Sequence, residues 1–288
     1  MTVATREAPP EVAPAAPGGG RRRWTRRILP AYTWLMILYF SLPILVMIVF
    51  GFNDTKGRLN LRWQGFTLHW YTDLFSIPAL TTALRNSLII AVISTVISTV
   101  IGTMIGLALG RYRFRGKGAY DLMIFSAISA PELVLGASLL SLFVTTQFVR
   151  GFVTIVIAHV AFSVSFVAVT VRARVLGLDP SLEEAAHDLF ANRSSAFRRV
   201  VLPLSLPGVF AGVLITFVPV ASDFVNSGIL GGTQTTMIGN VIQTVYLRNN
   251  DYPLASAMSF LLMAALLVGI FTYARALGTE QVMEVSQR

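Results

Sequence analysis

The sequence predicts an all-α membrane protein with six transmembrane helices, and three observations carry that prediction. Hydrophobic residues make up 54% of the 288 and charged residues only 13%, far from the usage of a soluble globular domain. Six apolar runs each come near the ~20 residues that cross a bilayer core. Charged residues collect between these runs. With no cysteine in the chain, neither a disulfide framework nor a cysteine metal site is available. A net charge of +9 would ordinarily raise a nucleic-acid partner. Here the basic clusters flank apolar runs, so membrane topology accounts for them and no nucleic-acid partner is expected.

Residues 1–20 are rich in Ala, Pro and Gly without periodicity, as expected of a disordered tail. Together with Arg21-Arg-Arg-Trp-Thr-Arg-Arg27 they form a basic tail over 1–27. A twin-arginine export signal is the alternative. The following run, 28–52, is longer than a signal-peptide core and precedes no small-residue cleavage site, so it reads as an anchor.

The remaining spans are expected at 84–110, 119–146, 151–172, 207–230 and 253–276, with a short tail over 277–288. Segment 53–83 joins the first two. Its Asn53-Asp54 and Lys56-Gly57 are turn signals, and Trp63, Trp70 and Tyr71 suit a membrane interface. Gly102, Gly106 and Gly110 step by four along the second span, spacing that lets a neighbouring helix approach closely. Ser94, Thr95, Ser98 and Thr99 on the same span are expected to bond across to neighbours. Gly231-Gly232 through Asn240 separates the fifth and sixth spans, and a short helix is expected from Met237 to Leu247. That helix could serve as a gate or as a docking surface for a solute receptor.

Orientation follows from Lys and Arg. With the N-terminus inside, seventeen basic residues fall on the cytoplasmic side and six outside, so both termini are expected in the cytoplasm. This places 173–206, the longest charged interruption between spans, on the same side.

Within that loop, Asp179 followed by Pro180 reads as an N-cap with proline at the first helical position. Ser181 with Glu184 offers an alternative capping box. Glu183 and Glu184 lie at the positive end of the helix dipole, with Asp188 near the other end. Leu182, Ala185, Ala186 and Leu189 make a narrow apolar face. Asn192 is expected to be left-handed at the helix end, with Ser194 or Ser195 capping a second helix that Pro203 stops after Leu202. Periodicity alone is equally consistent with a solvated connector.

Two acids, Glu132 and Asp223, fall within apolar spans. Such acids are costly and by default mark a pathway. Glu132 follows Pro131, which frees a backbone carbonyl that a polar cavity would tolerate. Asp223 heads a polar stretch that includes Asn226. Inward-facing carboxylates would lower the midplane barrier for a cationic solute. The competing reading is structural, with Glu132 bonded to a neighbouring helix and Asp223 at the wet membrane edge.

No phosphate-binding loop is present, because Gly116-Lys117 lacks both a following Ser or Thr and a correctly spaced glycine. His159, His187 and His69 stand apart in sequence and suggest no nucleophilic set. Catalysis, cofactors and metal ligands are therefore not expected. A self-sufficient secondary carrier would explain the embedded acids, but it leaves the helical hairpin without a purpose and lacks clear internal repeats.

Glu184-Ala185-Ala186 followed at fixed distance by Val200-Val201-Leu202-Pro203 resembles the EAA loop of ABC-importer permease subunits. Phe190 stands where that family usually has glycine, so the sharp turn shifts to Asn192 or Phe190 fills an apolar socket on a partner. Phe52-Asn53-Asp54, Trp63-Gln-Gly-Phe-Thr67, Gly110 through Lys117 and Pro131-Glu132 are similar to the second permease of bacterial spermidine/putrescine importers. Leu230 through Gln243 is more like the companion first permease. The resemblance implies a type I importer permease fold of the MetI-like kind, in the bacterial inner membrane. It implies a second, different permease, two cytoplasmic ATPase subunits and an extracytoplasmic solute-binding protein as partners, besides membrane lipid. It further implies that Glu183, Glu184, Ala185, Ala186, Asp188, Leu189, Phe190, Leu202 and Pro203 couple to the ATPase.

Overall fold

A computed structural model of the chain describes residues 21–74, 77–232 and 234–276; the tails expected over 1–20 and 277–288 lie outside them. The chain divides into two units, Met1–Val49 and Phe50–Arg288. The first span is helix α1 (Arg21–Phe50), whose stretch Ile28–Phe50 is apolar and long enough to cross a bilayer.

The second unit opens with an irregular segment held by the buried side chain of Asn53. Its Nδ2 donates to Asn60 Oδ1 and to the Arg62 carbonyl, each at 2.7 Å. Its Oδ1 accepts from the Gln64 amide at 2.7 Å, and Trp70 Nε1 donates to its carbonyl at 2.9 Å. One amide thus replaces a strand ladder in satisfying the loop backbone. A short helix α2 (His69–Leu74) follows. Burial without a partner pushes the Tyr71 phenol up to about 12.

The second span, α3 (Pro78–Arg111), begins six residues earlier than expected, with Pro78 at the start of the helix, where its missing N–H costs nothing. The third span is not one helix. α4 (Lys117–Ser129) and α5 (Glu132–Thr145) meet at a bend of 104°. The cause is Pro131: it forces Ala130 into extended geometry (φ −69°, ψ 131°) and cannot donate to the α4 ladder. α6 (Phe152–Leu176) is the fourth span.

Between the fourth and fifth spans lie α7 (Ser181–Asp188) and α8 (Arg193–Ala196). The second arm of this hairpin does not stop at Pro203. It runs through a π-helical turn, Phe197–Val201, directly into α9 (Leu202–Ser222). A proline ring crowds the carbonyl four residues back. The wider π turn, in which Leu202 N–H reaches the Phe197 carbonyl, relieves that crowding and keeps the helix continuous. The fifth span ends at Ser222, eight residues before the predicted 230. A separate short helix α10 (Val225–Leu230) follows, then α11 (Ile238–Leu247) as expected, and the last span α12 (Tyr252–Ala276).

The core is the α3–α6–α9 bundle. A Cβ on Gly102 would fall 2.6 Å from Val167 Cβ, one on Gly106 2.9 Å from Val171 Cβ, and one on Gly110 3.2 Å from Val175 Cβ. The glycines therefore form the groove into which the α6 valines pack, as their spacing predicts. Ser94, Thr95, Ser98 and Thr99, expected to bond across, are buried hydroxyls without a hydrogen-bond partner.

Candidate functional site

The hairpin between α6 and α9 is built by local capping. The Ser181 amide donates to Asp179 Oδ1 at 2.9 Å, so Asp179 caps α7 and that bond holds its carboxyl below the ordinary aspartate value. Asn192 is extended (φ −73°, ψ 163°) and caps α8, its Oδ1 accepting from Ser195 N–H at 2.8 Å. Neither Ser194 nor Ser195 supplies that cap. The left-handed residue is Phe190 itself, at φ 61°. Chain reversal between α7 and α8 fixes the backbone there, and Asn192 is consumed as a cap. Phe190 Cα thus holds the conformation a glycine adopts without strain, with its ring 98% exposed.

Of the residues predicted on this hairpin, Glu183 and Ala186 turn inward and are half-buried; Glu184, Ala185 and Asp188 are exposed. Leu182, Leu189 and Phe190 are exposed as well. The apolar face of α7 is therefore uncovered by its own chain. Glu183 pairs with Arg111, the last residue of α3. Arg172 of α6 pairs with Asp121 of α4, and Arg174 Nε donates to the Leu204 carbonyl at the start of α9 at 3.0 Å. The hairpin is thus tied by charge to α3, while the other two contacts join α6 to α4 and to α9 beside it. Leu202 and Pro203 open α9, half-buried and exposed respectively.

The embedded acids converge at the other helix breaks. Asp223 terminates α9 and caps α10. Its Oδ1 accepts from the amides of Val225 and Asn226 at 3.0 and 3.2 Å, its Oδ2 from Ser227 at 2.9 Å. A carboxylate at a helix N-terminus satisfies amides that would otherwise be orphaned in an apolar medium. Glu132, the first residue of α5, accepts from Asn226 Nδ2 at 2.8 Å. Gly136 permits this approach, since a Cβ there would fall 2.9 Å from Asn226 Oδ1. So the bend at Pro131 and the break at Asp223 bring Glu132, Asp223 and Asn226 together.

A fourth member escaped the sequence reading. His159 of α6 is 2% exposed, with Nε2 3.5 Å from Asp223 Oδ2 and no hydrogen bond. Glu132, His159, Ser163, Thr216 and Asp223 line one cavity of about 320 Å³, at the lower end of small-ligand pockets. The available signal was His159 with Ser163 one turn on, a polar pair inside an apolar span.

Membrane-length helices around an acidic cavity, with an exposed helical hairpin at one end, define a solute permease. Residues 102–277 match the family described as the binding-protein-dependent transport system inner membrane component, and the chain belongs to that family. Relatives include the spermidine/putrescine transport system permease protein PotC of Haemophilus influenzae, 37% identical over 70% of this chain and 78% of that protein. The putrescine transport system permease protein PotI of Escherichia coli K12 is 32% identical over 79% and 82%. Among solved structures, a bacterial alginate ABC transporter superposes with TM-score 0.71 at 14% identity, over 89% of this chain and 96% of that one. The MetNI methionine transporter gives 0.59 at 20% identity, over 68% and 94%. The chain is the permease of an ABC importer, with an inner-membrane, multi-pass fold.

Proposed function

We propose that the chain is one of two different permease subunits of a polyamine importer, spermidine or putrescine being the cargo. It would work with two ATPase subunits that burn the fuel and an extracytoplasmic binding protein that delivers the solute; the chain itself performs no catalysis. The single observation that carries the cargo reading is the cavity holding two acids: Glu132 and Asp223, bridged through Asn226, line one small cavity between the apolar helices. Acids in that place suit a solute bearing ammonium groups. The polyamine relatives support the same reading.

Both termini lie in the cytoplasm in this reading, supported by the distribution of Lys and Arg, which puts α7 within reach of an ATPase. The uncovered face of Leu182, Ala185, Leu189 and Phe190 docks there, with Glu184 and Asp188 as charged contacts. Glu183, Ala186, Leu202 and Pro203 hold the lever stiff. The test is uptake of radiolabelled spermidine, putrescine, sulfate and methionine by the reconstituted importer. Polyamine-selective uptake that is lost in Asp223→Asn is expected; uptake of an anion, or unchanged polyamine uptake in that variant, overturns the cargo reading.

A further inference from the structure

We infer that α3 is a rod through which the hairpin governs α11, and that Asn86 is the positioning residue that joins rod to helix. The inference rests on the reading of the hairpin as the ATPase contact and deepens it.

The two ends of α3 hold different things. At one end Arg111, its last residue, pairs with Glu183 of the hairpin, and Leu107 packs in one cluster with Val201 of the π turn. At the other end Asn86 Nδ2 donates to the carbonyls of Gln234 and Thr236, each at 3.1 Å. Beside it, Ser87 Oγ accepts from the Ile238 amide at 2.9 Å. Asn86 and Arg111 stand roughly 37 Å apart along a straight helix. One element therefore touches both the hairpin and the far end of the bundle.

α3 is built to carry a displacement between those ends. Beyond Pro78 no proline interrupts it, and the α6 valines seat in its glycine groove. Close-packed surfaces are barely compressible, so they transmit strain and do not absorb it. A shift imposed at Arg111 arrives at Asn86.

The segment that Asn86 holds is placed to respond. Among the described residues, the hydrogen bonds that tie 234–238 to another helix all come from α3. Thr236 lines two cavities, one of about 540 Å³ shared with Asn86 and Gln234, the other of about 500 Å³ shared with Gly231 and Asn240. The segment thus borders open space as well as α3.

α11 in turn rests on the acid site. Asn240 Nδ2 donates to the Phe224 carbonyl at 2.9 Å, and a Cβ on Gly239 would fall 2.6 Å from the Asp223 carbonyl oxygen. Asp223 and Phe224 both line the acidic cavity, so displacing the start of α11 displaces that wall. The contacts run from Glu183 through Arg111, α3, Asn86 and α11 to Asp223. The break between the fifth and sixth spans is then a gate driven from the hairpin.

The experiment measures ATP hydrolysed per spermidine imported by the full importer, reconstituted with all partner subunits. It compares Asn86→Ala, Arg111→Gln and the double variant with wild type. Each single change is expected to raise that ratio about 2- to 30-fold, the span of broken couplings of this kind. The two residues share no partner and stand far apart, so purely local structural effects would multiply. A rod severed at one end transmits nothing further, so the double variant is expected to be no worse than the stronger single one. If N86A fails to assemble, Asn86→Asp, of the same shape without the amide donor, takes its place. A wild-type ratio in N86A, or single effects that multiply in the double variant, overturns the inference. Glu184→Lys separates the two readings. Normal coupling in E184K removes the hairpin contact itself, whereas uncoupling in E184K with a wild-type ratio in N86A removes only the rod.

Discussion

Phe190→Gly tests whether the strained tip of the hairpin exists to meet a partner. In the chain alone the phenyl ring contributes almost no packing, being 98% exposed. Its left-handed backbone, at φ 61°, costs a non-glycine residue about 1–2 kcal/mol. Glycine removes that cost but gives back about 0.4–1 kcal/mol through a freer unfolded chain. The isolated permease should therefore be unchanged or slightly stabilised. With the ring seated in an ATPase socket, as proposed, the balance inverts in the assembled importer. Burying a phenylalanine side chain in an apolar socket is worth about 1.5–3 kcal/mol, so its loss weakens ATPase binding by about 10- to 140-fold. The assay pairs thermal unfolding of the solubilised permease with titration of the ATPase subunit onto permease in nanodiscs. Undiminished ATPase affinity in F190G would refute the socket. A clear loss of permease stability would refute the claim that the ring is idle in the free chain.

Glu184→Lys reverses an exposed charge on α7, so insertion and folding should persist while coupled uptake falls by about tenfold or more, as when one partner of an interfacial charge pair is lost. Normal solute-stimulated transport would contradict that role. Gly106→Ala places a Cβ 2.6 Å from the Ala168 carbonyl, whereas Gly118 has no atom within 4 Å of that position. Overpacking of about 1–3 kcal/mol should lower the melting midpoint of G106A well below that of G118A; equal midpoints would argue against the tight α3–α6 groove. The carboxyl of Asp179 is held below its ordinary value by the Ser181 amide. Its capping contribution is then present above the ordinary aspartate pKa and lost as pH falls through the depressed one. Hydrogen-exchange protection of the Ser181 amide should drop with acid, and Asp179→Ala should abolish that dependence.

How far the sequence spoke for itself differs along the chain. α6 and α12 were legible because each is a single apolar segment, and α11 because it follows the Gly231-Gly232 break. The bend between α4 and α5 was not, since hydropathy runs unbroken across Pro131 and membrane helices often tolerate proline. The end of α9 was hidden in the same way: Phe224–Leu230 stays apolar enough to read as the same span. Only the three amides gathered by Asp223 decide that the helix stops. Local chemistry favoured Asn192 for the left-handed turn, but chain closure assigned it to Phe190. Glu132, Asp223 and Asn226 were visible as costly polar residues, whereas a lone His159 reads as core until α6 and α9 are seen side by side.

The central claim is that the stroke enters through the α7 hairpin, and site-directed cross-linking measures it most directly. Leu189 is 82% exposed, so Leu189→Cys should carry a short bifunctional reagent without disturbing the fold. In the assembled importer the account predicts a covalent bond to an ATPase subunit, formed in proportion to the fraction of complexes that transport. A bond to the extracytoplasmic binding protein instead, or none at all in complexes still importing solute, would contradict it.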